Sequence, residues 1–185
     1  GLVAWPVFRW LHQVGLVTGS PVVLAVLLPL IGLMGTRRVQ ERIGGGSLTT
    51  RPTLRLTLAF SLFAAFTWTA GWSLILPATA ILVAVVHIQR SGSPVWRPAV
   101  LVVSLATLLG QTGVALGWVS SVVDPAVSHL AATSTLVLAC LGILNVGASV
   151  AERDAAGAAL ARADARLRAL MESSTDVLTV SDATG

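Results

Sequence analysis

Residues 56–89 read LTLAFSLFAAFTWTAGWSLILPATAILVAVVHIQ, 34 consecutive positions without a charged side chain when His87 is neutral. As one α-helix this stretch would be about 50 Å long, against about 30 Å of bilayer hydrocarbon. It suits a membrane only if it is broken, and Gly71-Trp72-Ser73 is the place to break it. The two halves, 56–72 and 74–89, then form a hairpin. Trp68 and Trp72 fall at its tip, at the level where indole rings prefer to lie.

The charges on either side support the hairpin. Before it, Thr36 to Arg55 carries Arg37, Arg38, Arg42, Arg51 and Arg55 against the single acid Glu41, around a flexible Gly44-Gly45-Gly46-Ser47 centre. After it, Arg90 and Arg97 flank SGSPVW. Arginine in short loops marks the cytoplasmic side of a membrane. A hairpin puts both loops on that side; one long helix would separate them.

Three further spans extend the pattern. LVTGSPVVLAVLLPLIGLMG, residues 16–35, is uncharged over one hydrocarbon thickness, with Pro21 and Pro29 as candidate kinks. Residues 98–118 form the fourth span and 129–150 the fifth, joined by a loop that contains Asp124 and no arginine and so reads as external. Five spans place Gly1 outside, with Trp5 and Trp10 as interfacial anchors in an external stretch. The absence of a signal peptide then leads us to expect at least one more span upstream.

Composition gives the same solvent. The chain is 55% hydrophobic and 11% charged, with mean hydropathy +0.84, whereas a soluble domain carries about 25% charged residues. The net charge of +4 comes from 12 arginines and no lysine, confined to segments flanking apolar runs. That distribution sets topology and offers no nucleic-acid surface. Cys140 stands alone, which rules out a disulfide or a cysteine-based metal site within one chain.

The composition changes at Ala151. AERDAAGAALARADARLRALMESS is rich in helix formers and in charge, with Arg153, Arg162, Arg166 and Arg168 keeping it inside. Leu160 and Leu167 at heptad position a place Ala163 and Leu170 at d, the seam of a short parallel coiled coil, although Arg153 occupies the preceding a position. The plainer alternative is a solvated amphipathic helix packed on its own domain. Beyond it, Ser173 to Thr175 are expected to end the helix, Val177 to Val180 to form a strand, and Asp182 to Gly185 to turn.

RLRALMESSTDVLTVSDATG, residues 166–185, resembles the opening of a bacterial PAS domain: an amphipathic lead-in helix, Ser-Thr-Asp before the first strand, and an Asp-x-x-Gly turn after it. The preceding region, including HIQRSG at 87–92 and GWVSSVVDP at 117–125, resembles the membrane portion of actinobacterial signalling proteins that carry PAS, GGDEF and EAL domains. The resemblance implies an output that makes or degrades cyclic di-GMP, using Mg and GTP or cyclic di-GMP. Any such catalytic site would lie outside these residues, so no catalytic, cofactor-binding or metal residue is expected among them.

Five polar residues remain as candidate sensing groups. His87 closes a span beside Gln89 and Arg90, and Gln111 and Asn145 lie within spans. His12 and His129 both fall near the external interface, where packed spans would let them share a metal or sense pH. The plainer reading of His87 is a residue reaching for headgroups. For the two amides it is hydrogen bonding across helices. Gly113-x-x-x-Gly117 has the small-xxx-small form of close helix packing.

No Asp, Glu, Lys or Arg falls in the middle of a span, which argues against an ion-coupled transporter. The sequence thus leads to an all-α polytopic bundle of about five spans, a cytoplasmic linker helix at 151–172, and the first strand of a PAS domain at 173–185. Its expected setting is the inner membrane, with the bilayer as partner, the C-terminus cytoplasmic and a homodimer formed through 151–172. The expected role is sensory or anchoring input to a signal-transduction protein. A histidine-kinase sensor, or a transporter or membrane enzyme with a short tail, remains as an alternative.

Overall fold

The computed structural model describes the backbone of residues 4–47 and 50–184, and side chains as far as 172. Among the described residues, seven α-helices follow one another: α1 (Ala4–Gln13), α2 (Pro21–Met34), α3 (Arg37–Ile43), α4 (Pro52–Ala70), α5 (Leu76–Ser91), α6 (Trp96–Ala115) and α7 (Pro125–Thr184). Short 3-10 turns, Ser73–Ile75 and Ser93–Val95, lead into α5 and α6. Among the described residues, four stretches are long and apolar enough to cross a membrane, Pro52–Ala70, Ser73–Ser91, Ser93–Ala115 and Pro125–Glu172, and Pro21–Met34 with Arg37–Ile43 makes a fifth if that bent pair is one span.

Helices α4 to α7 pack into a bundle around Leu56, Phe60, Ala84, Ile88, Val103 and Ile143. Alanines at 80, 84, 99 and 139 are buried among them. Small side chains let helix backbones approach, which is how helices associate when the solvent is as apolar as the interface. Three aromatic or glycine contacts bring other surfaces equally close: Gly110 faces the Trp68 indole, Gly147 faces the Trp96 ring, and Gly19 faces the Thr69 backbone.

The outer surface is also apolar. Leu82, Leu101, Leu108, Leu109, Leu130 and Leu138 are all exposed. Soluble monomers rarely leave contiguous apolar patches larger than a few hundred Å². A bundle with leucine outside and alanine inside is suited to lipid.

The break between α4 and α5 falls at Gly71, whose φ of +80° is left-handed and ends α4. The tip is then tied to its surroundings. Val122 N–H donates to the Gly71 carbonyl (3.1 Å), Thr18 N–H to the Ala70 carbonyl (3.2 Å), and Trp72 Nε1 to the Leu16 carbonyl (2.8 Å). Trp72 is therefore a tether between two turns as well as an interfacial ring. Phe8, Phe66 and Trp72 stack edge to face, with centroids 5.8 and 6.2 Å apart, and join α1 and α2 to the flank of α4.

Two regions differ from the sequence expectation. Where 16–35 reads as one span, the helix occupies Pro21–Met34 alone, 14 residues and about 21 Å, then bends by 78° into α3. Residues 16–20 are drawn into the turn that hydrogen-bonds Ala70 and Trp72, and Pro21 starts the helix rather than kinking it. Residues 4–13, expected as an external stretch, form α1, with Phe8 buried against α4 and Trp5 and Trp10 exposed.

The second difference is at the other end. The strand expected over 177–180 is absent, and there are no strands among the described residues; the backbone continues as helix to Thr184. A strand needs a neighbouring strand to satisfy its backbone groups, whereas a helix satisfies them alone. The expected span at 129–150 and linker at 151–172 are one uninterrupted helix.

Candidate functional sites at the two ends of the bundle

The end of the bundle remote from the arginine-bearing loops holds a polar cluster. Gln111 projects from α6, and its Oε1 lies 2.7 Å from His129 Nδ1 on α7. Ser128 Oγ donates to the same oxygen (3.4 Å), while Gln111 Nε2 donates to Ser73 Oγ (3.5 Å). Because the Gln111 oxygen only accepts, Nδ1 of His129 is the donor in this contact. The cluster thus pins α6, α7 and the 3-10 turn before α5 together at one level.

His12 has a different partner. Its Nδ1 lies 3.0 Å from the Val17 carbonyl, where it braces the turn between α1 and α2. The two histidines do not share a site, and no group of three or more His, Cys, Asp or Glu side chains is placed to hold a metal among the described residues. Asn145 points outward from α7 and is exposed, so it does not join Gln111. Among the five candidate residues, Gln111 and His129 alone are brought together.

The arginine-bearing end is built differently. Arg55 sits one turn inside α4 at 1% exposure, and its Nη2 donates to Ser91 Oγ at the close of α5 (2.8 Å). Next to Ser91, the turn into α6 presents Ser93 N–H to Asp154 Oδ2 on α7 (3.3 Å). Polar contacts thus tie α4 to the end of α5, and the turn before α6 to the middle of the long helix.

Beside it, α2, α3, α4 and α5 border an open cleft of about 250 Å³. Its walls are mainly apolar, with Ile31, Phe63, Val83 and Val86 among them, and Gln40, His87 and Arg90 supply the polar groups. His87 Nδ1 lies 2.8 Å from the Val83 carbonyl, one helical turn back. A carbonyl only accepts, so Nδ1 donates and Nε2 is left as an acceptor.

Gln40 is 2% exposed, and its Nε2 donates to the Met34 carbonyl (2.6 Å) where the chain bends from α2 into α3. Its Oε1 is buried without a hydrogen-bond partner among the described residues. An unsatisfied buried acceptor costs about 1–3 kcal/mol. Sequence reasoning singled out His87 here but neither Gln40 nor Arg55. Both lie in the arginine-rich stretch, which reads as a solvated loop until the 78° bend folds it onto the bundle.

Fold and surface together define an all-helical bundle with several helices of membrane-crossing length and composition. Comparison does not narrow the class further: no family model matches the chain, and no curated protein or solved structure matches it.

Proposed function

We propose that this chain is the membrane sensory or anchoring input module of a bacterial signal-transduction protein. In this reading, α7 carries a change in the bundle to a PAS domain and then to an output that makes or degrades cyclic di-GMP. The setting is the inner membrane, with the arginine-bearing end and α7 beyond residue 150 on the cytoplasmic side. Mg and GTP, or cyclic di-GMP, would serve the output and not this chain.

The observation that carries the reading is the continuity of α7. It is 60 residues long, about 90 Å, and does not break where the apolar run ends. Residues 152–172 are all exposed, and the apolar stripe of Leu160 (72%), Leu167 (57%) and Leu170 (66%), with Ala163, is left uncovered. A second copy of α7 supplies the surface that such a stripe needs. Asp154 holds the base of this rod to the α5–α6 turn, so a shift of that turn moves the rod.

A transport path is less well supported. The polar groups at the two ends are separated by a core of Phe60, Ala84, Val103 and Ile143. A histidine-kinase output would use the same rod and differ only in chemistry.

Signalling of this kind requires two states in which the rod makes different contacts. Removing Ala158 and Ala159 rotates everything after them by about 160° at roughly 100° per residue. Removing seven residues, 155–161, changes the phase by only about 20°. Cellular cyclic di-GMP should change with the two-residue deletion, and its level and regulation should survive the seven-residue one. If both deletions behave as the parent does, coupling through α7 is refuted.

A further inference from the structure

The apolar part of α7 carries one polar side chain that the bundle does not use. Asn145 is exposed, and its amide makes no hydrogen bond among the described residues. It lies about 10 Å before Glu152, the first charged residue of the helix. In a bilayer that face meets acyl chains, which neither donate nor accept. An amide in such surroundings is stabilised by a polar group on another helix.

The position of Asn145 on the helix says which one. At 3.6 residues per turn, Asn145 stands about five full turns before Ala163, on the same line. Ser149 stands the same distance before Leu167, and Leu138 before Ala156. Leu138, Asn145 and Ser149 are all exposed. The uncovered stripe beyond residue 152 therefore continues, without changing face, into the apolar part of α7. It also points away from the chain's own bundle: Ala132, Ala139, Ile143 and Gly147, the buried side of the helix, lie about 135° round from it.

We propose that α7 pairs with α7 of a second copy within the bilayer as well as beyond it, with Asn145 bonded to Asn145 of the other chain. Copies inserted in the same sense run parallel, so the two helices meet about a two-fold axis along the membrane normal. An amide is self-complementary about such an axis, each Nδ2 donating to the other Oδ1. An apolar partner surface offers no such match. A single polar pair in a helix seam also fixes register, because a slip leaves both amides unmet. The Asn145 pair thus holds Leu160 opposite Leu160 and Leu167 opposite Leu167. The inference rests on the reading of 152–172 as a self-pairing stripe and stands whatever the output.

The first test is disulfide formation by the full chain in membranes, with Cys140 replaced by Ser and one cysteine introduced at a time. Leu138→Cys and Ser149→Cys should cross-link, as Leu167→Cys does. Leu144→Cys, also exposed but about 140° round the helix from Ser149, should not. If Leu167→Cys cross-links and neither Leu138→Cys nor Ser149→Cys does, the pairing within the bilayer is overturned while the stripe at 152–172 stands. If Leu167→Cys also fails, the stripe itself falls. Cross-linking of Leu144→Cys as fast as Ser149→Cys overturns the choice of face.

The second test weighs the amide. Chains tagged at the C-terminus with donor or acceptor fluorophores are mixed in lipid vesicles, and energy transfer is followed as protein is diluted by lipid. Asn145→Leu should weaken association about threefold to tenfold, the scale of one or two interhelical hydrogen bonds, and Asn145→Gln should restore most of it. Because Asn145 is exposed in the single chain, neither variant disturbs its fold. Unchanged association in Asn145→Leu overturns the amide pair.

Discussion

One substitution, glycine to alanine, should have three different effects along α7, because the helix meets three different surroundings. In a helix interior, alanine is favoured over glycine by about 0.8–1.0 kcal/mol. At Gly157 a Cβ would meet nothing within 4 Å, so Gly157→Ala should gain most of that helix stability. At Gly142 the nearest atom is Ile81 Cδ1 at 3.9 Å, an ordinary contact, and Gly142→Ala should be neutral or slightly stabilising.

At Gly147 the new carbon would lie 2.6 Å from Trp96 Cγ and 2.7 Å from Trp96 Cβ. These atoms are at the root of the side chain, so rotating the ring does not clear them. Either α6 and α7 move apart or the start of α6 shifts. Overpacking of this kind costs about 1–3 kcal/mol. After the propensity gain is subtracted, Gly147→Ala should lose roughly 0–2 kcal/mol, and Gly147→Val clearly more.

Unfolding of the purified chain by SDS in mixed micelles, followed by tryptophan fluorescence and helix content, ranks the three variants. Trp96 itself reports the contact. If Gly147→Ala proves as stabilising as Gly157→Ala, the close approach of α6 to α7 at this level is wrong, and with it the placement of Asp154 beside Ser93.

Two other perturbations test the sites. Gln111→Leu should lower stability in the same assay by about 0.6 kcal/mol, the mean for interhelical side-chain hydrogen bonds in membranes, whereas Asn145→Leu, on the exposed face, should leave the single chain unchanged; the opposite order would contradict the orientation of α6 and α7. With Cys140 replaced by Ser, Leu167→Cys should form disulfide-linked dimers in membranes under mild oxidation while Arg162→Cys does not, and equal cross-linking of both would remove the proposed seam.

Hydropathy and charge are local properties, and they carried the class of this protein a long way. The charge-free run from Leu56 to Gln89 is too long for one span, and a glycine lies in its middle. A helix that is apolar all round must be buried, in the core of a protein or in a membrane. The exposed leucines at 82, 101, 109 and 138 express the same requirement on the folded surface. The change in composition at Ala151 likewise signals a helix leaving the apolar bundle, and residues 152–172 are exposed along their whole length.

Hydrogen-bond partnership depends on something else: the rotation of each helix about its axis and its height against its neighbours. Those are set by contacts such as Gly147 on Trp96 and Gly110 on Trp68, between residues far apart in sequence. Hence His129 bonds Gln111 and not His12, Asn145 turns outward, and Arg55, one of five arginines in the 36–55 stretch, is the one that reaches Ser91. Gln40 borders the cleft only because α2 stops at Met34 and the chain turns by 78°. Composition and periodicity therefore decide what the helices are dissolved in, and packing decides which polar groups meet, because side-chain partners are chosen by three-dimensional register that no local stretch encodes.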